Sequence, residues 1–349
     1  MVMNFETVAM LLSFLFCIAS AFNTPILSLG PTANLPSHND SVSQLLGLVT
    51  GSATSAWPKT FHGVTQTNGA LHVRQNVMGA MMSSADQTAF ATAARALNLS
   101  ISIEGGGAMC GTGSGATMGA LHIKITEAFE AAGGTFTFWA LESVFSRTHA
   151  GCSNQSQTRT AIELAHYAHA LSVGLAQKTP PLFFLYDALP HFSVGKDFPP
   201  NTRPPNHEYG QDLETILDLL KDEMEKVGVP LAGYWMDCPY EYSRDYPNAT
   251  APFPAGEGWK KVAAAAALVR SKGLSVGKTF NSQQGGQTSD ELFFTNTMKD
   301  WDATAKAGVK LDYAMVETWY TYPSHAAPES TAYTTTYTAA QIFAKATAE

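Results

Sequence analysis

The chain has 349 residues, of which 45% are hydrophobic and 14% charged, and its net charge is −8. Such a composition supplies a sizeable core and excludes a disordered chain. No run of Lys or Arg stands out, which argues against a nucleic-acid partner and against an anionic membrane surface.

In chain order, the first feature is the apolar run VAMLLSFLFCIASAF, closed by Ala19-Ser20-Ala21. Its small-x-small ending predicts a signal peptide over residues 1–21, cleaved after Ala21, although the segment before it carries Glu6 and no Lys or Arg. The run is short for a membrane span, and no later stretch is long and apolar enough to be one. A secreted protein is therefore expected. Four N-x-Ser/Thr sequons, at Asn39, Asn98, Asn154 and Asn248, become candidate glycosylation sites in that setting. With Cys17 removed in the signal, Cys110, Cys152 and Cys238 remain. One disulfide and one free thiol is the simplest outcome in an oxidising compartment.

From about residue 71 two textures alternate. Short β-type runs read LHVRQNVM, LSISIEGG, TFTFWALES, PLFFLYDAL, PLAGYWMDC, LSVGKTFNS and LDYAMVETW. Between them lie helical segments such as TRTAIELAHYAHALSVGLAQK, YGQDLETILDLLKDEMEKVG and GWKKVAAAAALVRSKG. Several of these end at a glycine just before the next strand (Gly133-Gly134, Gly228, Gly273, Gly308), a helix C-cap signature. Seven strand–helix units are visible. An eighth strand should lie upstream, at ILSLGP near Ile26 or at FHGVTQT near His62. The pattern predicts an α/β protein, a single-domain (β/α)8 TIM barrel over residues 22–349 with an N-terminal lead-in. An open doubly wound sheet is the rival, but it would more often show a phosphate-binding Gly-rich turn after its first strand. KDFPPNTRPPNHEYG reads as a long loop between the fifth strand and its helix.

In such a barrel the site forms at the C-terminal ends of the strands, so position decides which polar residues matter. Strand three carries Glu104, strand four Glu142, strand five Asp187, strand six Asp237 with Glu241 beyond it, and strand eight Glu317; strand seven runs into Asn281. Five strand ends with acids would ring one mouth, and crowded carboxylates raise one another's pKa. Tyr186, Trp235, Trp319 and Tyr322 lie in or just after the same strands, whereas Trp139 and Tyr234 read as packing residues. Aromatic faces beside carboxylates suit a sugar ring. The run GGGAMCGTGSG lacks the Lys-Ser/Thr of a P-loop and reads as a βα loop. It holds Cys110, and the next βα loop holds Cys152, so a disulfide between them is expected. No H-x-H follows a strand and no C-x-x-C occurs, so neither a metal nor a cofactor is expected, with calcium on loop acids as the alternative. Cys238 has no local base to make it a nucleophile.

FWALESVF, FFLYDALP, GYWMDCPY and VETWYTYPSHAAPES, spread over most of residues 71–330, together resemble TIM-barrel glycoside hydrolases and a divergent group of secreted barrel proteins. The resemblance implies a carbohydrate substrate and a two-carboxylate mechanism. One clan of that fold closes strand four with Asn-Glu and strand seven with Glu; here Leu141 precedes Glu142 and Asn281 stands on strand seven. Another clan uses carboxylates after strands four and six, the places of Glu142 and Asp237. The expectation is thus a monomeric, secreted glycan-active enzyme. Asp237 works with Glu142 or Glu317, and Asp187, Glu104, Glu241, Asn281, Tyr186, Trp235, Trp319 and Tyr322 bind or tune the substrate. The alternatives are a non-catalytic glycan-binding or structural barrel, and a polysaccharide lyase using Tyr and His. Chain secreted from a eukaryotic host should move faster on a gel after endoglycosidase treatment; an unshifted band would remove the glycosylation expectation.

Overall fold

The computed structural model describes residues 24–31, 38–50, 53–152, 155–200, 211–245 and 257–348. The signal-peptide reading of residues 1–21, the sequons at Asn154 and Asn248, and most of the Pro-rich loop lie outside them. Eight strands form one closed parallel barrel: β1 (Ile26–Gly30), β2 (Ala70–Arg74), β3 (Ser100–Gly106), β4 (Phe136–Glu142), β5 (Leu182–Ala188), β6 (Leu231–Asp237), β7 (Ser275–Phe280) and β8 (Tyr313–Glu317). Each strand pairs with its neighbours in sequence, and β8 closes on β1 through Ile26↔Tyr313 to Gly30↔Glu317. The fold is therefore a (β/α)8 barrel.

The first strand is ILSLG. FHGVTQ, the other candidate, lies in the helix Pro58–Gln66, where Pro58 opens the first turn and Thr60 and Val64 bury one face at a spacing of four residues. LHVRQNVM is strand only as far as Arg74; Val77–Met81 is already a wide helical turn. The helices between strands follow their sequence signals. Leu213–Lys226 buries Leu213, Ile216, Leu217, Leu220 and Met224, one stripe of a 3.6-residue repeat, and Asp212 caps it by accepting from the Thr215 amide at 3.0 Å. Gly133, Gly228, Gly273 and Gly308 have φ between 72° and 81°, the left-handed conformation that ends a helix before the chain turns into the sheet. Asn68 and Asn98 do the same at φ 56° and 50°, which places the Asn98 sequon on an exposed turn.

Two cores result. The larger lies between barrel and helices. The smaller fills the barrel: Ala70, Phe138, Ala140, Phe184, Tyr186, Trp235, Tyr313 and Met315. Phe184 and Tyr313 have ring centroids 4.9 Å apart, and Trp235 sits 5.5 Å from each. This aromatic plug is a solid floor, so any site must lie above it.

The layer behind β7 holds a fully buried ion pair. Lys278 Nζ donates to Asp300 Oδ2 at 2.5 Å and to the Cys238 carbonyl at 3.2 Å, while Trp259 Nε1 donates to Asp300 Oδ1 at 3.1 Å. Every partner here depends on the others. Asp300→Ala, which leaves Lys278 charged and unpaired, should cost about 3–5 kcal/mol in denaturant unfolding. The double variant Lys278→Met/Asp300→Leu should recover most of that loss; equal destabilisation by both would contradict this account.

Candidate functional site

Strand alternation builds the mouth. Ala70, Ala140, Trp235 and Met315 belong to the inner core. Successive side chains alternate between faces, so Arg74, Glu142, Asp237 and Glu317, two or four residues further on, project above that core. Ser102, hydrogen-bonded to His72 across the barrel wall, sets the same parity for Glu104. Arg74 pairs with Glu104 across β2–β3, and Gly106 with Glu142 across β3–β4, so these groups stand at similar heights. Asn281 follows β7 directly and is fully buried.

The structure separates the sequence candidates. Glu104, Glu142, Asp237, Asn281 and Glu317 share the mouth. Asp187 does not: its neighbour Tyr186 faces inward, and its own carboxylate turns outward. There it accepts from Ser146 Oγ at 2.8 Å and from the Ala188 amide at 2.8 Å. It ties the loop after β4 to β5. Glu241 is buried and accepts from Ser282 Oγ, the Gln283 amide at 2.9 Å and Asn296 Nδ2 at 3.2 Å, which braces the loop after β7. The oxygens of both acids accept hydrogen bonds from protein donors and hold loops of the rim. Trp235 lies across Gly277 on β7, where a Cβ would come within 2.7 Å of its ring, and forms part of the floor. Tyr186 is buried and donates to Glu317 Oε2 at 2.9 Å. Trp319 is half-buried at the rim, 6.5 Å from Tyr186 between ring centroids, beside Tyr320. Tyr322 holds the turn after β8 through its amide and carbonyl, to Gly286 and Thr318. Trp139 and Tyr234 face the helices, as expected.

Other expectations resolve similarly. Cys110 and Cys152 form a disulfide, with Cα atoms 5.5 Å apart, joining the loops after β3 and β4. Cys238 is buried, and burial pushes its thiol up to about 11, so it is no nucleophile at neutral pH. In the Gly-rich turn the amides of Gly113 and Gly115 donate to Glu163 at 3.1 and 3.0 Å. The chain's own carboxylate thus takes the position a phosphate would need.

Three residues escaped a search for acids at strand ends. His72 and Arg74 line the mouth from β2, and Tyr320 lies close enough to Asp237 to feel its charge. The alternation in LHVR was the available signal, since it puts His72 and Arg74 on one face.

Electrostatics sort the acids. Burial works to raise Glu104, but Arg74 at 2.6 Å, helped by His72, wins and holds its carboxyl at about 2. That fixed negative charge acts on the others. Burial first, then the Glu104 charge, raise Glu142 to about 7, against the opposing pull of Arg147, which bonds its Oε1. Burial, then Glu142 and Glu104, raise Asp237 to about 8. Burial and Glu104 hold Glu317 well above the usual range. Ser143, directly after Glu142, has φ 52°, a strained conformation for a residue with a side chain. It turns the chain sharply at the rim.

Buried polar atoms without a hydrogen-bond partner are rare in folded proteins. Among the described residues, six such atoms lie at the mouth or in its floor, His72 Nε2, Glu104 Oε2, Trp235 Nε1, Asp237 Oδ1 and both side-chain atoms of Asn281, while others, such as Trp301 Nε1 and Thr304 Oγ1, lie elsewhere. A separate cleft of about 700 Å3 opens at the opposite end of the barrel, lined by Ile26, Arg270, Asp312 and Tyr313 among others. It contains the Arg270–Asp312 ion pair at 3.1 Å and is lined by Trp301 and Thr304, whose Nε1 and Oγ1 are also unpartnered, but it gathers no group of buried acids. We therefore place the candidate site at the mouth.

No family model and no curated protein matches the chain. Solved structures that resemble it include CpGH84B (TM-score 0.46, 9% identity, covering 93% of this chain and 51% of that one). They also include a Bacteroides ovatus GH5 xyloglucanase in complex with a XXXG heptasaccharide (0.39, 10%, 95% and 76%) and a putative phosphonomutase from Burkholderia cenocepacia (0.38, 12%, 82% and 94%). The chain spans about half the length of CpGH84B. At such identities and scores none of the three bears on what this chain does.

Arg74 is the group on which this electrostatic order rests. The Glu104 carboxyl is depressed, so its pairing stabilises the fold above the ordinary carboxylate range near pH 4 and loses that contribution as pH falls toward 2. Arg74→Met should therefore cost about 2–3 kcal/mol at pH 7, with the difference from wild type shrinking below pH 4. Unfolding curves across pH check this; a penalty independent of pH would show that Arg74 acts only through packing.

Proposed function

We propose that the protein is a glycan-active hydrolase in which Asp237 donates the proton to the leaving oxygen and Glu142 acts as the second carboxylate. One observation carries the reading. Asp237 keeps an unpartnered oxygen at the mouth, and burial with neighbouring negative charge raises it to about 8, so it holds a proton at neutral pH. Glu142, raised to about 7, ionises first. Two acids separated in this order supply a donor and a base or nucleophile. The half-buried Trp319 and Tyr320 at the rim offer aromatic faces for a sugar ring, and Asn281 offers a donor and an acceptor to its hydroxyls. Glu104, kept ionised by Arg74, is then the charged support beside the reacting pair, and Glu317 lies next to it.

The test is hydrolysis of a panel of plant, algal and fungal glycans. With a substrate in hand, kcat/KM should follow a bell in pH with limbs near 7 and 8, the acid limb from Glu142 and the alkaline limb from Asp237. Asp237→Asn should lower kcat at least about 10³-fold. Glycan binding without any product, unchanged in Asp237→Asn, would favour a binding barrel instead.

Stability gives a substrate-free check. The native state retains a proton on Asp237 that the unfolded chain releases near pH 4, so wild-type stability falls as pH rises from about 4 to about 8. Asp237→Asn removes that penalty. In chelator-treated protein its melting temperature should match wild type at pH 4 and exceed it by about 2–5 °C at pH 9.

A further inference from the structure

We infer that the floor of the mouth is a binding site for one divalent transition-metal ion of the Zn2+ or Mn2+ class, held by His72, Glu104 and Glu317. The site shares Glu104 and Glu317 with the supports of the proposed reacting pair, and it is tested without a glycan.

His72 Nε2 lies 3.8 Å from Glu104 Oε2 and 4.0 Å from Glu317 Oε1, and all three ligand atoms fall within 4.8 Å of one another. Atoms so spaced can all be reached from a point about 2.3–2.5 Å from each, a few tenths of an ångström longer than bonds to Zn2+. All three side chains are at least nine-tenths buried. A chance cluster of surface acids has no such burial.

Each of the three is also held by its other polar atom. His72 Nδ1 pairs with Ser102 Oγ at 2.8 Å, which aims Nε2 at the cluster, where a metal ion would take the place of a proton. Arg74 Nε donates to Glu104 Oε1 at 2.6 Å. Tyr186 donates to Glu317 Oε2 at 2.9 Å and is itself in contact with Thr279 Oγ1 at 3.2 Å. Those outer bonds orient the free atoms toward one space, the arrangement that ligating histidines and carboxylates need.

Two further facts point to a ligand. His72 Nε2 and Glu104 Oε2 have no hydrogen-bond partner, which is costly for buried polar atoms. Gly30, opposite Glu317 on β1, permits the glutamate to lean across: a Cβ there would sit 2.7 Å from Glu317 Cγ. The donor set decides the ion. One imidazole and two carboxylates suit Zn2+ or Mn2+ better than Ca2+ or Mg2+, which prefer oxygen alone. His72, Glu104 and Glu317 come from β2, β3 and β8, so no spacing in the sequence brings them together.

Chelator-treated full-length protein should be titrated with Zn2+ by calorimetry and with Co2+ by visible absorption. We expect one equivalent per chain and a Co2+ d–d spectrum. His72→Ala and Glu317→Gln should each weaken Zn2+ at least about 100-fold, and Ser102→Ala, which only orients His72, about 10-fold. His166→Ala and His169→Ala, on an outer helix, should leave it unchanged. Circular dichroism checks that each variant is folded; if His72→Ala is not, Ser102→Ala and Glu104→Gln decide. Absence of saturable binding, or binding that survives the substitutions at His72, Glu104 and Ser102, overturns the inference and leaves a bound water as the occupant of the space.

Discussion

The ion pair between Arg74 and Glu104 sets the character of the mouth. Both groups sit on a floor of aromatic side chains, where a carboxylate alone would take up a proton. Arg74, at 2.6 Å, keeps Glu104 ionised. A fixed negative charge in that low-dielectric ring then acts on every carboxyl around it, and Glu142, Asp237 and Glu317 all rise. With the arginine, one is held ionised and the others are graded upward.

That grading depends on the floor. Phe138, Phe184, Trp235 and Tyr313 interlock inside the barrel and block it beneath the acids. Burial is the largest influence on each of the ring acids. The outer layer supports the same end by different means. Asp187 and Glu241 hold the loops after β4 and β7, the Cys110–Cys152 disulfide joins the loops after β3 and β4, and Lys278–Asp300 fixes the back of β7. The rim is thus braced by groups that do not face its centre. A site that keeps several polar atoms unpartnered gains from such bracing, because buried polar atoms without partners are costly and do not hold the loops around them.

The amino-acid sequence by itself determined the architecture. Alternating strand and helix textures, with Gly133, Gly228, Gly273 and Gly308 ending helices, admit few folds, and strand ends carrying acids admit one face for the site. These signals are local: a period of two or 3.6 residues and a left-handed cap act within a few residues of chain. The same reasoning named Glu104, Glu142, Asp187, Asp237, Glu241, Asn281 and Glu317, because the position at a strand end is also local. What only the tertiary structure decided is which strand-end groups face one another. Asp187 and Tyr186 are adjacent in sequence, yet one braces a loop and the other bonds Glu317 across the barrel; a single step in strand parity separates those fates. ILSLG and FHGVTQT looked alike as candidate first strands, and closure against β8 chose between them. His72 and Arg74 lie far from Glu317 along the chain, and barrel closure brings β8 around beside β1 and β2. Their proximity, and with it the order of the carboxyl pKa values, is a property of that closure, since charge coupling depends on distance in space and not on distance along the chain.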